Sequence, residues 1–131
     1  MQFQLITPES ILFSGEAEQI LMPGKEGVFG VLPGHAPLVA ALKEGVISIE
    51  LADKTQKRVV ILSGLAEVTA DKAVVLAETA EDCSGLTAAQ AEASLQDAKR
   101  QLDSAVSEEE MKTARRRLAI AEATVEGLNA A

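Results

Sequence analysis

The amino-acid composition of the chain changes at Cys83, and this change predicts a fold with two parts. Before it, short runs of β-branched and aliphatic residues are separated by Gly, Pro, Asp and Lys, which is typical of strands joined by turns. After it, Ala, Gln, Glu and Arg dominate and no proline occurs, which favours helix. The sequence predicts a mainly β domain over residues 1–83 and a helical domain over residues 84–131.

Alternating apolar positions give the expected strands their buried faces. Phe3 and Leu5 share one face of a first strand, and Ile47, Ile49 and Leu51 share one face of another. Two further runs are apolar at successive positions and are expected to lie between two layers: Val59–Leu62 and Val74–Leu76. Many short strands without intervening helices predict a sandwich or a barrel.

Two capping boxes predict two helices in the last third of the chain. Thr87 followed by Gln90, and Ser107 followed by Glu110, each fit the pattern in which a hydroxyl and an N3 side chain exchange hydrogen bonds with the backbone. Glutamates in the first turn after Ser107 suit the positive end of a helix dipole. The expected stop signals at the other end are Gly127 and Asn129.

Each expected helix carries one narrow apolar stripe. The stripe of the first helix consists of Ala91, Leu95, Ala98, Leu102 and Ala105, and that of the second consists of Met111, Ala114, Leu118, Ala121 and Val125. The short link at residues 104–107 predicts an antiparallel hairpin. Because its core is made mostly of alanines, the hairpin is expected to be weakly held and able to switch conformation.

Composition argues against several classes of partner. The formal net charge is −8, whereas binding to nucleic acid or to anionic lipid relies on clustered Lys and Arg. The chain has three Phe and neither Trp nor Tyr, so it lacks the stacking platforms of single-strand binders. No apolar run approaches the roughly twenty residues that span a bilayer. Cys83, the one cysteine, is expected to be a buried or tolerated thiol.

The segment 23–37 is the most distinctive in the chain, with four glycines and three of the four prolines. A phosphate-binding loop is one interpretation, but such a loop needs its lysine directly before Ser or Thr, and Lys25 is followed by Glu26. A rigid, turn-rich surface with a strand between two loops fits better, because each Gly or Pro fixes a special backbone angle.

His35 is the only histidine, so a site built from several histidines is excluded. No serine in a nucleophile-elbow pattern accompanies it, and no pair of carboxylates has a context that marks a cleft. A loop histidine that packs or hydrogen-bonds at an interface is therefore favoured over a catalytic one. The competing hypothesis is a small enzyme or phosphoryl-ligand module that uses the glycine-rich loop, His35 and the arginines of the helical part. Neither a metal nor a cofactor is expected.

Arg115, Arg116 and Arg117 form the only run of cationic residues. Such a run is often a solvated helical face. The alternative is a clamp for carboxylates or phosphates, because three consecutive guanidinium groups spread over most of the circumference of a helix and reach different partners.

The stretch Met22–Glu50 closely resembles the signature of the ATP synthase epsilon subunit family; it reads MPGKEGVFGVLPGHAPLVAALKEGVISIE. Three further segments look like family landmarks in the right order: Thr7–Gly15, Ser63–Val68 and Leu76–Glu81. The resemblance covers residues 1–83 nearly end to end, whereas the helical part matches in pattern more than in letters. Glu44, Ser63 and Leu65 depart mildly from the residues common in the family.

The resemblance implies a flattened β-sandwich followed by a two-helix hairpin. It implies a non-catalytic central-stalk subunit whose sandwich binds the gamma subunit and touches the ring of c subunits. The expected rotor-facing residues are Glu26, Val28, Phe29 and His35. In the family the hairpin extends toward the catalytic alpha/beta hexamer and restrains ATP hydrolysis, and Arg115, Arg116 and Arg117 are the candidates for contacts with beta or gamma.

Some family members bind ATP on the hairpin through a motif with an Asp and an Arg. In this chain Thr87 stands at the Asp position and Gln90 at the Arg position, so ATP binding is not expected. The resemblance also implies a peripheral location on the membrane, held through the complex. The absence of a transit segment before Thr7 favours the cytoplasmic face of a bacterial plasma (inner) membrane.

Overall fold

Ten β-strands followed by two α-helices make up residues 1–129, the part of the 131-residue chain that this computed structural model describes. The strands are β1 (Gln2–Ile6), β2 (Ile11–Glu16), β3 (Gln19–Gly24), β4 (Gly27–Val31), β5 (Leu38–Leu42), β6 (Gly45–Glu50), β7 (Gln56–Ile61), β8 (Gly64–Val68), β9 (Lys72–Ala77) and β10 (Ala80–Asp82). The helices are α1 (Ala88–Ser104) and α2 (Glu108–Asn129). Strands followed by helices were predicted, and the fold class is confirmed.

The chain divides into two compact units, residues Met1–Ser84 and a second that begins at Gly85. In the first unit one layer has the strand order β10-β7-β6-β3-β4 and the other has the order β5-β8-β9-β1-β2. The layers are joined where Gly24 of β3 pairs with Leu42 of β5. Neighbouring strands are antiparallel, with the parallel pair β1 and β9 as the exception among the described strands. This unit is a β-sandwich.

Side chains from both layers fill the space between them. Phe3 and Leu5 of β1 and Ile47 and Ile49 of β6 are fully buried in this core, which confirms the faces predicted from alternation. Leu51 was expected on the same face as Ile49, but it lies just beyond β6 and is only half-buried against the edge of the core. The sandwich core therefore rests on the period-2 pattern of its strands.

The two continuous apolar runs differ in burial. In the run Val59–Leu62, Val59 and Ile61 of β7 are buried in the sandwich core, as predicted, whereas Leu62 lies beyond the strand and is only half-buried. In β9, Val75 is buried whereas Leu76 is 48% exposed, so the prediction that all of Val74–Leu76 lies between two layers is wrong. Successive side chains of a strand point to opposite faces, and the outer face of β9 is open at Leu76.

The first helix begins as the sequence predicts. Thr87 Oγ1 accepts a hydrogen bond from the Gln90 backbone N–H at 3.1 Å, and Gln90 Oε1 accepts one from the Thr87 N–H at 2.9 Å. Both halves of the capping box are thus present. Such a cap stabilises a helix by about 1 kcal/mol.

The second helix begins differently from the prediction. Ser107 Oγ accepts from the Glu110 N–H at 3.0 Å, but the Glu110 carboxylate accepts from the N–H of Val106, at 3.4 Å, and not from that of Ser107. The side chain of Glu110 thus reaches one residue further back than in a regular capping box. At the other end α2 runs through Gly127, so Gly127 is not the stop that the sequence suggested.

The two helices form a hairpin with a small core. Leu95 and Ala98 of α1 pack with Ala121 of α2, which confirms the antiparallel arrangement and most of the predicted stripes. Met111 is an exception: it is 36% exposed and lies outside this core. At about 25 cal/mol per Å² of buried apolar surface, burial of one leucine and two alanines contributes little more than a few kcal/mol to the free energy of folding.

Replacement of Gly64 by alanine tests how closely β8 and β9 approach each other. A Cβ at Gly64 would lie 2.7 Å from the Leu76 carbonyl oxygen, a backbone atom that moves only with its strand. We expect Gly64→Ala to lower the free energy of unfolding by about 1–3 kcal/mol in urea denaturation.

Gly15→Ala in β2 is the matched control. Its Cβ would meet the Phe13 ring at 3.7 Å, an ordinary contact, so the variant should be neutral or slightly more stable than the parent chain. Equal losses of stability in the two variants would show that the short distance to the Leu76 carbonyl oxygen is not the reason why position 64 requires glycine.

Candidate functional site

The glycine-rich segment 23–37 forms the end of the β3–β4 hairpin, strand β4 and the loop that follows. A Cβ at Gly24 would lie 2.7 Å from the Gly27 carbonyl oxygen and 3.0 Å from the Phe29 ring, so only glycine fits there. Lys25 and Glu26 form the turn between them. A strand between two loops was predicted, and it is confirmed; a strand follows Lys25, where a phosphate-binding loop would have a helix.

The second loop, between β4 and β5, is fixed to a neighbouring turn. The Gly34 N–H donates to the carbonyl of Ala70 at 2.7 Å, and Gly34 has a φ of +88°, a conformation that favours glycine. The His35 N–H donates to the Leu32 carbonyl at 3.1 Å, and His35 Nδ1 lies 2.7 Å from the carbonyl oxygen of Ala36. His35 is thus held locally by its own loop.

The four residues predicted to face the rotor are brought together. Glu26, Val28, Phe29 and His35 all line one hollow of about 680 Å³, and strand β5 forms its other wall. Val28 is 72% exposed, which is unusual for a valine in a strand. The segment therefore presents a rigid surface with an apolar centre.

A second surface was not predicted from the sequence. On the outer face of the layer β5-β8-β9-β1-β2, one row of residues crosses every strand, each paired with the next: Ala41, Leu65, Leu76, Ile6 and Ile11. Leu65 is 39%, Leu76 48% and Ile11 59% exposed. We call this set the apolar row. With strands about 4.8 Å apart, it is roughly 20 Å long.

The apolar row and the glycine-rich segment are parts of one continuous surface. Along the row lies a hollow of about 550 Å³, lined by Leu65, Leu76 and Ile6 together with residues of the loops at the strand ends. Lys25 and Ala41 line this hollow and also the one around Val28 and His35. A partner seated on one hollow would therefore reach the other.

The signal that could have revealed the apolar row is alternation within two short strands. In β8, Ala66 and Val68 are buried, which leaves Leu65 outside. In β9, Ala73 and Val75 are buried, which leaves Leu76 outside. The apolar run in β9 hid this, since a leucine next to a buried valine looks like core when the period of the strand is not followed.

The hairpin holds the predicted arginine run. Arg115, Arg116 and Arg117 are all exposed on α2, and the buried positions beside them are Ala114 and Ile120. Arg117 has an interaction of its own within the chain. The side chains at the predicted ATP-motif positions, Thr87 and Gln90, are both engaged in the cap of α1.

Two titratable groups near the end of the sandwich have shifted pKa values. Burial raises the pKa of the Cys83 thiol, and the negative charge of Asp82 raises it further. For Asp82 itself, partial burial raises the pKa, but the hydrogen bonds from Ser84 and the charge of Lys57 outweigh this and leave the pKa below its usual value.

Within residues 1–129, no three His, Cys, Asp or Glu side chains are grouped closely enough to hold a metal ion. In the same range, neither helix has the length and apolar character needed to cross a bilayer.

Two solved structures share this fold. A chain in the cryo-EM structure of the Euglena gracilis mitochondrial ATP synthase (OSCP/F1/c-ring, rotational state 1) matches with a TM-score of 0.68 at 22% identity, over 96% of this chain and 79% of that one. A chain in the central stalk/c-ring structure of the Tetrahymena thermophila mitochondrial ATP synthase matches with a TM-score of 0.59 at 15% identity, over 98% and 93%. At these identities the likeness establishes the fold.

Sequence comparison establishes the family. Residues 1–83 match the family model described as ATP synthase, Delta/Epsilon chain, beta-sandwich domain. The ATP synthase epsilon chain of Rhodospirillum rubrum is 43% identical over 122 residues, which is 93% of this chain and 91% of the relative. That of Paramagnetospirillum magneticum is 39% identical over 123 residues, or 94% and 92%. The chain belongs to the ATP synthase epsilon chain family.

Proposed function

We propose that this protein is a non-catalytic central-stalk subunit that couples the gamma subunit to the ring of c subunits in a proton-driven ATP synthase. The observation that carries the proposal is the apolar row, in which Leu65, Leu76 and Ile11 are exposed in one line of paired residues across the sheet. Contiguous exposed apolar residues of this kind mark protein interfaces. Membership of the epsilon chain family supports gamma as the partner.

The proposed gamma-binding surface has the anatomy of a stable interface. Such interfaces bury about 800 Å² on each partner, around an apolar centre with a polar rim. The apolar row supplies the centre, and the hollow beside it adds Lys25 and Glu78 at its margin. Because strand pairing fixes every residue of the row, little conformational entropy would be lost on binding.

The glycine-rich segment is the proposed contact with the c ring, or with gamma beside it. Glu26, Val28, Phe29 and His35 line one hollow, with Val28 and Phe29 on β4 and the other two in the turns on either side of it. This hollow shares Lys25 with the hollow beside the apolar row. One rigid body could thereby contact two rotor components at once.

The hairpin is the proposed brake on ATP hydrolysis. Its core of Leu95, Ala98 and Ala121 is small, so opening it costs little. Opened, it would carry the exposed Arg115, Arg116 and Arg117 to an acidic segment of beta in the alpha/beta hexamer, where guanidinium groups pair well with carboxylates. Thr87 and Gln90 are occupied in capping α1, so we propose no nucleotide ligand and no cofactor.

In this proposal the subunit is a peripheral component on the cytoplasmic face of a bacterial plasma membrane, held there through the complex. The Rhodospirillum rubrum and Paramagnetospirillum magneticum relatives support a bacterial setting. The acidic net charge of −8 is unfavourable for direct contact with anionic lipid.

A charge placed in the apolar row should weaken binding to gamma. We expect Leu76→Glu to raise the dissociation constant for the isolated gamma subunit by at least about tenfold, because a carboxylate would be buried against apolar side chains. Isothermal titration calorimetry with the full-length chain measures this directly.

Leu21→Glu is the matched control for this experiment. The exposed fraction of Leu21, 40%, is similar to those of Leu65 and Leu76. Leu21 lies, however, on β3, on the outer face of the other layer. It should bind gamma like the parent chain. If the two glutamate variants bind alike, gamma does not bind on the apolar row.

Removal of the hairpin should release hydrolysis. Truncation after Ser84 is expected to raise the ATPase rate of the assembled enzyme by roughly two- to tenfold, a difference of about 1.4 kcal/mol or less in barrier height. Arg115→Ala, Arg116→Ala and Arg117→Ala combined should have most of this effect, because they remove the charges and leave the hairpin core.

Lys99→Ala combined with Arg100→Ala provides the control, since it also removes exposed cations from the hairpin but takes them from α1 and leaves the arginine run on α2 intact. It should leave the ATPase rate as it is in the intact complex. An unchanged rate in the truncated complex would remove the braking role and leave the coupling role.

A further inference from the structure

The last strand of the sandwich is extended beyond its regular end. β10 runs antiparallel to β7 and pairs Ala80 with Ile61 and Asp82 with Val59. One residue further, the Cys83 N–H donates to the carbonyl oxygen of Arg58 at 2.9 Å, which continues the ladder. The backbone pairing between the two strands stops at this point.

A serine side chain then takes the place of the next backbone pair. Ser84 Oγ accepts a hydrogen bond from the Arg58 N–H at 2.8 Å and donates one to the Arg58 carbonyl oxygen at 3.3 Å. The N–H and C=O of a residue in an antiparallel strand point to the same side, so the Arg58 amide faces β10 and not β6. Ser84 therefore satisfies an amide that would otherwise lack a protein partner.

Ser84 is itself held from the other side. Its N–H donates to Asp82 Oδ1 at 2.8 Å, and the second oxygen of Asp82 lies 3.6 Å from Lys57 Nζ on β7. The last residue of the first compact unit is thus bound to the sandwich by its backbone and by its side chain.

The residue that follows Ser84 is Gly85, which has open space around it. Gly85, the first residue of the second unit, has a φ of +76°, and a Cβ built there would meet nothing within 4 Å. Only Leu86 separates it from Thr87, the cap of α1. Two residues of backbone thus connect two hydrogen-bonded ends, and one of them is the residue type that rotates most freely.

We propose that Ser84 is a positioning residue that confines movement of the hairpin to the joint at Gly85 and Leu86. With the Ser84 hydroxyl in place, release of the hairpin would stop at the joint, and β10 would stay on β7. The surface that the sandwich offers to its partners would then be the same whether the hairpin is closed or open. The inference rests on the proposed movement of the hairpin, but it concerns the sandwich side of the joint.

Amide hydrogen exchange on the full-length chain, resolved by NMR, tests the proposal. Ser84→Ala should accelerate exchange at the Arg58 amide by about tenfold, because that N–H loses its acceptor. Ser84→Thr keeps the hydroxyl and should restore the parent rate. Ser14→Ala, at an exposed serine of β2, is the matched control and should leave Arg58 unaffected.

A second variant shows at which residue the loss of protection from amide exchange ends. Leu95→Ser weakens the hairpin core and should increase exchange throughout α1 and α2, while the amides of Arg58 and Cys83 keep their parent rates. In the double variant Leu95→Ser with Ser84→Ala, increased exchange should extend into residues 80–83. Ser84→Thr in the same background should return the boundary to Gly85.

Two results would overturn the inference. One is an Arg58 amide that exchanges at the same rate in Ser84→Ala and in the parent chain. The other is loss of protection across residues 80–83 in Leu95→Ser alone. Neither measurement involves gamma or ATP hydrolysis. If the hairpin proves to have no effect on the ATPase rate, the proposed braking role is refuted, but the exchange experiment still tests the role of Ser84.

Discussion

The junction of the two layers at Gly24 is the constraint on which the sandwich depends. β3 pairs with β4 and β6 in one layer, and its last residue pairs with Leu42 in the other. No side chain fits at this position, because the Gly27 carbonyl and the Phe29 ring occupy the space. The Lys25 N–H then donates to the Ala41 carbonyl at 3.0 Å, which fixes the hairpin turn beside β5. The two hollows adjoin each other for this reason, since their common residues, Lys25 and Ala41, are the ones that the junction brings together.

Local signals predicted most of the fold. Alternation identified the buried faces of Phe3 and Ile47, and the capping-box pattern at Thr87 identified the start of the first helix. Alternation in β8 and β9 marks Leu65 and Leu76 as facing outward, but it does not show that they belong to one row across the sheet. The members of the row come from strands far apart in sequence, and the parallel pairing that sets Ile6 beside Leu76 leaves no mark in either strand. Register between distant strands is a property of the assembled sheet, whereas periodicity within a strand can be read from the chain.

The hairpin departs from its sequence pattern at Met111 and at Gly127. Met111 lies in the first turn of α2, next to the link between the helices, and stays outside the core although it continues the apolar stripe. Gly127 lies inside α2 although an interior glycine costs about 1 kcal/mol relative to alanine. The hairpin is weakly packed and the sandwich is closely packed, so the two units differ in their resistance to opening, because regions with few buried apolar contacts open at the lowest free energy.

The direction of the apolar row also determines how the sandwich bears mechanical load. The row runs across the strands, parallel to the hydrogen bonds that join β5, β8, β9, β1 and β2. A body attached along it holds every strand of the layer at once. Force directed along the strands would then move the layer as a unit, with no strand pulled past its neighbour. Force directed along the row would instead tend to peel away β2, the strand at the end of the layer, whereas β5 is also joined to β3. A body attached along the row would therefore meet a stiffer sandwich along the strands than across them.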